Sequence, residues 1–167
     1  MALLGQRRRY PTDATMEIRF AGVPDASVIA DLVCALLEEL DAKPIDATTE
    51  AAIRQRANAM ISDGSVTAIL AFENSRAVGL ATLHDCSAIY AGRFGEISEM
   101  YVDPDYRNCK IGSSLIFACI DHAKDRQWAR LEVGTPELPK WKRTEAFYDR
   151  NGFTTVGARM KREMNCG

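Results

Sequence analysis

No apolar run in this chain of 167 residues approaches the roughly 18 needed to cross a bilayer. No membrane partner is therefore expected. Neither sign of charge is in excess: 21 Lys and Arg stand against 23 Asp and Glu, a formal charge of -2. That balance argues against nucleic acid as a partner. Cysteine is present but unpatterned, since Cys34, Cys86, Cys109, Cys119 and Cys166 are an odd number with no Cys-x-x-Cys pair. Only His84 and His122 could help them bind a metal, so neither a disulfide framework nor a metal site is expected. At the N-terminus the short apolar run Ala2 to Leu4 precedes Arg7-Arg8-Arg9, the reverse of a secretory signal's order. Together these features imply a reducing, cytoplasmic address. The phosphate-loop pattern G-x-x-x-x-G-K-[ST] and the dinucleotide pattern G-x-G-x-x-G are also absent.

What is present is one globular domain with a basic arm. Residues 1–14 have no hydrophobic period and read as a flexible arm, and residues 15–167 read as a single domain with 47% hydrophobic content over the whole chain. Met16 to Phe20 alternates as a strand, and Val28, Ile29, Leu32, Val33, Leu36, Leu37 and Leu40 recur at helical spacing. A second helix follows Pro44 and stops near Asp63-Gly64. Ser65 to Phe72 and Arg76 to Leu83 form a hairpin about Asn74-Ser75, and Glu96 to Val102 forms another strand. The stripe from Ile111 to Ala123 predicts a helix, Arg130 to Val133 a short strand, Trp141 to Arg150 a helix, and Phe153 to Lys161 a final strand. The fold class is α/β, a mixed sheet in the order β-α-α-β-β-β-α-β-α-β.

The run from Glu96 to Leu115 carries the chemistry. A strand enters a tight turn and leaves directly into a helix, so the free N–H groups of the first helical turn meet the positive end of the helix dipole. Such a place binds an anion, above all a phosphate. Gly112 allows close approach to the backbone, Ser113 and Ser114 add hydroxyl donors, and Arg107 and Lys110 add positive charge at the rim.

Tyr101-Val102-Asp103-Pro104-Asp105-Tyr106-Arg107-Asn108-Cys109-Lys110-Ile111-Gly112 resembles the acyl-CoA signature Y-V-x-P-x-Y-[RQ]-x-x-G-x-[GA] of the GNAT superfamily of N-acetyltransferases, with Lys110 where the first glycine usually lies. Glu145 to Phe153 is similar to the family's A-x-x-F-Y-x-x-x-G-F helix and following strand, with the alanine displaced and Trp141 in place of a frequent asparagine. The two matches extend the resemblance over residues 16–161. It implies acetyl-CoA as acyl donor, without a metal, bound by Met100, Tyr101 and Val102 and by Arg107, Asn108, Cys109, Lys110, Ile111, Gly112 and Ser113. The second substrate it implies is an amine on a small molecule or peptide, attacked directly without a covalent enzyme intermediate. It also makes a homodimer through sheet edges an option.

An alkylamine has a pKa near 10, so freeing it at neutral pH costs about 4 kcal/mol and calls for a base or a water relay. Glu96, Glu99 and Glu132 each align with a carboxylate used by some branch of the family, and strand parity does not order Glu96 against Glu99 if a bulge lies between them. Tyr148 is the candidate acid for the departing thiolate, its alternative role being a core aromatic beside Phe147. Backbone N–H groups of Met100 to Val102 would hold the oxyanion if that strand parts from Arg130 to Val133. His84 and Asp85 lie at the end of a strand and could border the acceptor pocket, which the resemblance implies is shaped by the connection of the first two helices and by a loop from Asp85 to Gly95. His122 reads as part of a solvated helix face and Cys109 as loop packing. Asp41, Asp46 and Asp85 hint at a cationic acceptor. A CoA-binding module without turnover is the alternative reading.

Overall fold

The computed structural model describes residues 16–136 and 140–164. The expected arm lies outside the described residues. Five strands, β1 (Met16–Phe20), β2 (Thr67–Glu73), β3 (Arg76–Ala88), β4 (Gly92–Val102) and β5 (Leu131–Val133), form one sheet in sequence order. All neighbours are antiparallel except β4 and β5, which run parallel because α3 (Ile111–Asp125) crosses between them. α1 (Ala26–Asp41) and α2 (Ala47–Ser62) separate β1 from β2, and α4 (Lys142–Arg150) follows β5. Among the described residues no helix is long and apolar enough to cross a membrane.

Side-chain alternation divides the core into two layers. Ile69 and Ala71 of β2, Ala81 and Leu83 of β3 and Ile97 of β4 pack against Ile111, Leu115, Ile116 and Cys119 of α3 and Tyr148 of α4. Ala68, Leu70 and Leu80, with Tyr101 beside them, pack against Ile29 and Leu32 of α1, and Ala57 and Ile61 of α2 close that layer. Local chemistry sets the joints. Asn74 and Ser75, at φ 48° and 66°, make the two-residue left-handed turn that joins β2 to β3. Asp46 caps α2 by accepting the Thr49 N–H at 2.9 Å. Asp25, ahead of α1, accepts Arg19 at 2.8 and 2.9 Å and the Gly22 N–H at 2.9 Å.

Three expectations need correction. Residues 153–164 form no strand. The neighbouring edge, β5, is three residues long and offers little to template a further strand, and Phe153 is drawn onto α4 by its ring contact with Tyr148. The stretch from Asp85 to Gly95 is not a loop but the paired tips of β3 and β4, with Asp85 opposite Gly95 and Ala88 opposite Gly92. Asp85 there accepts Trp128 Nε1 at 2.9 Å, Arg93 at 2.7 Å and Arg126. His122, finally, is no solvated face, since its ring sits 5.4 Å from Phe20 and 5.3 Å from Trp128, and burial lowers its pKa.

Trp128 lies flat on Gly95, where a Cβ would fall inside the indole ring. Gly95→Ala is expected to destabilise the protein by about 1–3 kcal/mol, the range for overpacking, and urea unfolding checks it; equal midpoints would contradict this packing. Arg19 and the Gly22 N–H hold Asp25 down to about 2 from 3.8. Because the folded pKa is depressed, the stabilisation is complete above the unfolded value and lost as pH falls toward the folded one. Asp25→Asn should cost on the order of 1 kcal/mol at neutral pH after allowance for the half-exposed guanidinium, a difference that closes as pH approaches about 2. A gap that stays constant across acid titration would contradict it.

Candidate active site

β4 changes phase in its middle. Leu83 pairs with Ile97 and Ala81 with Met100, so Ser98 and Glu99 together oppose the single residue Thr82. The clamp is a side chain: the Thr82 hydroxyl accepts the Glu99 N–H at 3.0 Å and donates to the Glu99 carboxylate. Thr82 is 2% exposed. The extra residue returns Ile97 and Met100 to the α3 layer and leaves Glu96 and Glu99 on the opposite face, which Tyr101 shares with α1 and α2. The parity that strict alternation leaves open is thus resolved, with both carboxylates on one face.

β5 stops where the bulge begins, Ile97 with Val133 being its last pair. Beyond that point the outer edge of β4 has no neighbouring strand among the described residues. The Glu99 N–H points inward to Thr82 and the Asp103 N–H inward to the Val78 carbonyl at 2.9 Å. Alternation then turns the N–H groups of Met100 and Val102 outward, into the gap. The Val102 carbonyl, on the same edge, accepts Arg107 Nε at 2.9 Å.

From Val102 the chain makes a short 3-10 turn over Pro104–Tyr106, held by Asp103 through the Asp105 N–H at 3.0 Å, and enters α3. Asn108 and Lys110 both have φ 65°, a left-handed backbone that favours glycine. Lys110, at the position where the resembling signature has its glycine, is the N-cap of α3, with no side-chain cap and no acidic residue in the first turn. The first helical bond runs from the Ser114 N–H to the Lys110 carbonyl, so the N–H groups of Ile111, Gly112 and Ser113 precede the helical ladder and point out of the helix end. An uncapped helix start of this kind offers the N–H groups that an anion takes.

Two of the expected site residues have close partners within the fold. Arg107 does not stand free at the rim: Glu39 of α1 takes both its terminal nitrogens, one at 2.9 Å, and the pair ties α1 to the turn. At Gly112 a Cβ would lie 3.1 and 3.2 Å from ring carbons of Phe147, so the missing side chain also makes room for that ring. Cys109 is exposed, with its thiol 3.6 Å from the Arg107 carbonyl.

Tyr148 is buried between Phe147 and Phe153, at ring distances of 5.2 and 5.5 Å, in the layer that holds Ile97 and Cys119. Met100 and Val133 border that layer, so Tyr148 stands on the α3 side of the parted strands. Burial pushes its phenol well above the ordinary value, and it pushes the Cys119 thiol up to about 12. On the other side, Glu96 pairs with Glu132 in register and with His84 across β3. Arg159 forms an ion pair with Glu96, and Arg130 Nε meets Glu132 at 2.5 Å. Glu99 has no cation partner among the described residues. Of these, the sequence reading missed Thr82, Glu39 and Arg159; a lone hydroxyl inside the apolar run Val78 to Leu83 was the available signal for the first.

Lys110→Gly should relieve the left-handed backbone and raise stability by about 0.5–1 kcal/mol, read by denaturant unfolding. A loss of stability would contradict this geometry.

The profile of the Acetyltransferase (GNAT) family matches residues 33–153. An aminoalkylphosphonate N-acetyltransferase of Salmonella typhimurium is 32% identical over 151 residues, which are 88% of this chain and 90% of the relative. Among solved structures, a predicted acetyltransferase with acetyl-CoA from Clostridium acetobutylicum superposes with a TM-score of 0.74 at 18% identity, covering 89% of this chain and 96% of that one. A ribosomal-protein-alanine N-acetyltransferase from Brucella melitensis gives 0.70 at 21% identity, covering 90% and 100%. The last two show a shared fold. Family profile and 32% relative, each spanning most of the chain, establish that this protein belongs to the GNAT family of acetyltransferases.

Proposed function

We propose that the protein transfers the acetyl group of acetyl-CoA to a primary amine by direct attack, with both substrates bound together. The observation that carries this reading is the meeting of two features at one end of β4: an outer edge with outward N–H groups at Met100 and Val102, and the uncapped first turn of α3. An extended pantetheine amide can continue the sheet on that edge, and a pyrophosphate fits the N–H groups of Ile111 to Ser113. Arg107 supports the turn rather than the anion, because Glu39 already balances its charge.

The acid and the bases then lie on opposite sides of the gap. An ammonium arriving on the α1 and α2 face meets Glu99, whose carboxylate is positioned by Thr82, and Glu96 once its ion pair with Arg159 opens. A proton passes from the ammonium to a carboxylate or to water on its way to solvent. The neutral amine attacks the thioester carbonyl, a C–N bond forms, and the carbonyl oxygen gathers charge beside the Met100 and Val102 N–H groups. The C–S bond breaks and the sulfur leaves as a thiolate. Tyr148, whose raised pKa keeps it protonated through the neutral range, donates first a hydrogen bond and then its proton to that thiolate, and regains a proton from solvent. The Salmonella relative is named for aminoalkylphosphonate acceptors, and a compound of that kind is the first acceptor to try.

The test is thermal unfolding with acetyl-CoA, CoA and ATP, followed by thiol release with amines. At a thousandfold excess over Kd, either CoA form should stabilise by about 4 kcal/mol, roughly 8–16 °C, and ATP should not. Equal shifts with ATP, or none with CoA, would overturn the reading, whereas a CoA shift with no thiol release from any amine would favour a binding module. Tyr148→Phe should lower kcat by about 10²-fold, within the range for acid catalysis, with the CoA-dependent shift retained. Unchanged turnover would remove Tyr148 from the mechanism.

A further inference from the structure

Glu96 and Glu132 are register neighbours on β4 and β5, so two carboxylates stand side by side on one face, an arrangement that is unfavourable unless cations intervene. Two guanidiniums do. Arg130 is a fixed one: it meets Glu132, donates to the Tyr90 hydroxyl at 2.9 Å and lies 4.6 Å over the Phe94 ring. Arg159 is different. It comes from the stretch without regular structure that follows α4, its side chain is 69% exposed, and Glu96 is its one ion-pair partner among the described residues. It reaches Glu96 over Gly134, where a Cβ would lie 2.8 Å from its Nη1. An ion pair with one exposed partner on an irregular segment contributes little to stability, so it exchanges readily when another cation arrives.

The acceptor amine is such a cation. We propose that Arg159 selects the acceptor: the ammonium takes its place on Glu96, and the released guanidinium binds an oxyanion, a phosphonate or carboxylate, carried a short chain away on the same molecule. The charges balance only for an acceptor of this class. A simple alkylamine displaces Arg159 without giving it a new partner, and a diamine brings a second positive charge toward both Arg130 and Arg159. Planar guanidinium geometry suits either oxyanion through two parallel hydrogen bonds. This inference rests on the acetyl-transfer reading above and assigns its acceptor class to a residue.

The experiment compares kcat/KM for β-alanine, aminomethylphosphonate, propylamine and diaminopropane in the full chain, in Arg159→Gln and in Arg159→Lys, with the acetyl-CoA thermal shift measured for each. The parent protein should prefer the two acidic amines. In Arg159→Gln the ratio of acidic to neutral acceptor should fall about tenfold, carried by KM, as expected for loss of one charged contact, while Arg159→Lys keeps most of it. A parent enzyme that prefers propylamine or diaminopropane, or a ratio unchanged in Arg159→Gln, would overturn the assignment while the acetyl-CoA shift leaves the transfer reading standing. Absence of that shift in the parent would overturn both.

Discussion

A single hydroxyl governs the shape of this site. Thr82 sits in an apolar run, buried between two strands, and spends both of its hydrogen-bonding functions on Glu99. Without that exchange the extra residue of β4 would leave a backbone N–H unpaired beside β3, a cost of about 1–3 kcal/mol. With it, the bulge is stable and has two consequences. Glu96 and Glu99 come to one face despite their odd spacing, and β4 departs from the line of β5 one pair after Gly95 and Glu96 have been matched. The gap beside β4 and the placing of both carboxylates on one face are outcomes of one local device, and the proposed transfer uses both.

The same device separates the proposed acid from the proposed bases. Tyr148 belongs to the layer under α3, where burial holds its phenol protonated. The glutamates belong to the layer shared with α1 and α2 and its open end, near water and cations. In the proposed transfer, the proton taken from the amine and the proton given to the thiolate therefore travel on opposite faces of the sheet. The uncapped first turn of α3 is joined to this gap by the Pro104–Tyr106 turn, which Arg107 and Glu39 brace against α1. That brace links the first helix to the turn ahead of α3, which the proposed function assigns to the donor.

The parts that were legible in the sequence are those built from neighbours along the chain. The stripe of α3, the Asn74-Ser75 turn, and the strand-turn-helix passage from Tyr101 to Gly112 each follow from local spacing and punctuation. The left-handed backbone at Lys110 was not read from the sequence, although the resembling signature has a glycine there. The illegible parts depend on partners far apart. Thr82 and Glu99 are 17 residues apart, and Arg107 and Glu39 are 68. No periodicity reports such pairs. The expected final strand failed for a related reason: Phe153 to Lys161 has strand-like alternation, but β5 is too short an edge to hold it, and Arg159 turns to Glu96 instead. The loop expected after Asp85 and the solvated face expected at His122 failed because Trp128, arriving from the end of α3, gathers Asp85 and His122 around Gly95.

The central claim is that the outer edge of β4 is open between Met100 and Val102 and that the acyl donor closes it. Residue-resolved amide hydrogen exchange tests this most directly, with and without acetyl-CoA. The account predicts that the Met100 and Val102 amides exchange quickly in the free protein and become protected with the donor bound, while those of Glu99 and Asp103, which point toward β3, are protected in both states. Met100 and Val102 amides that are already slow in the free protein, or that stay fast with saturating acetyl-CoA, would contradict it.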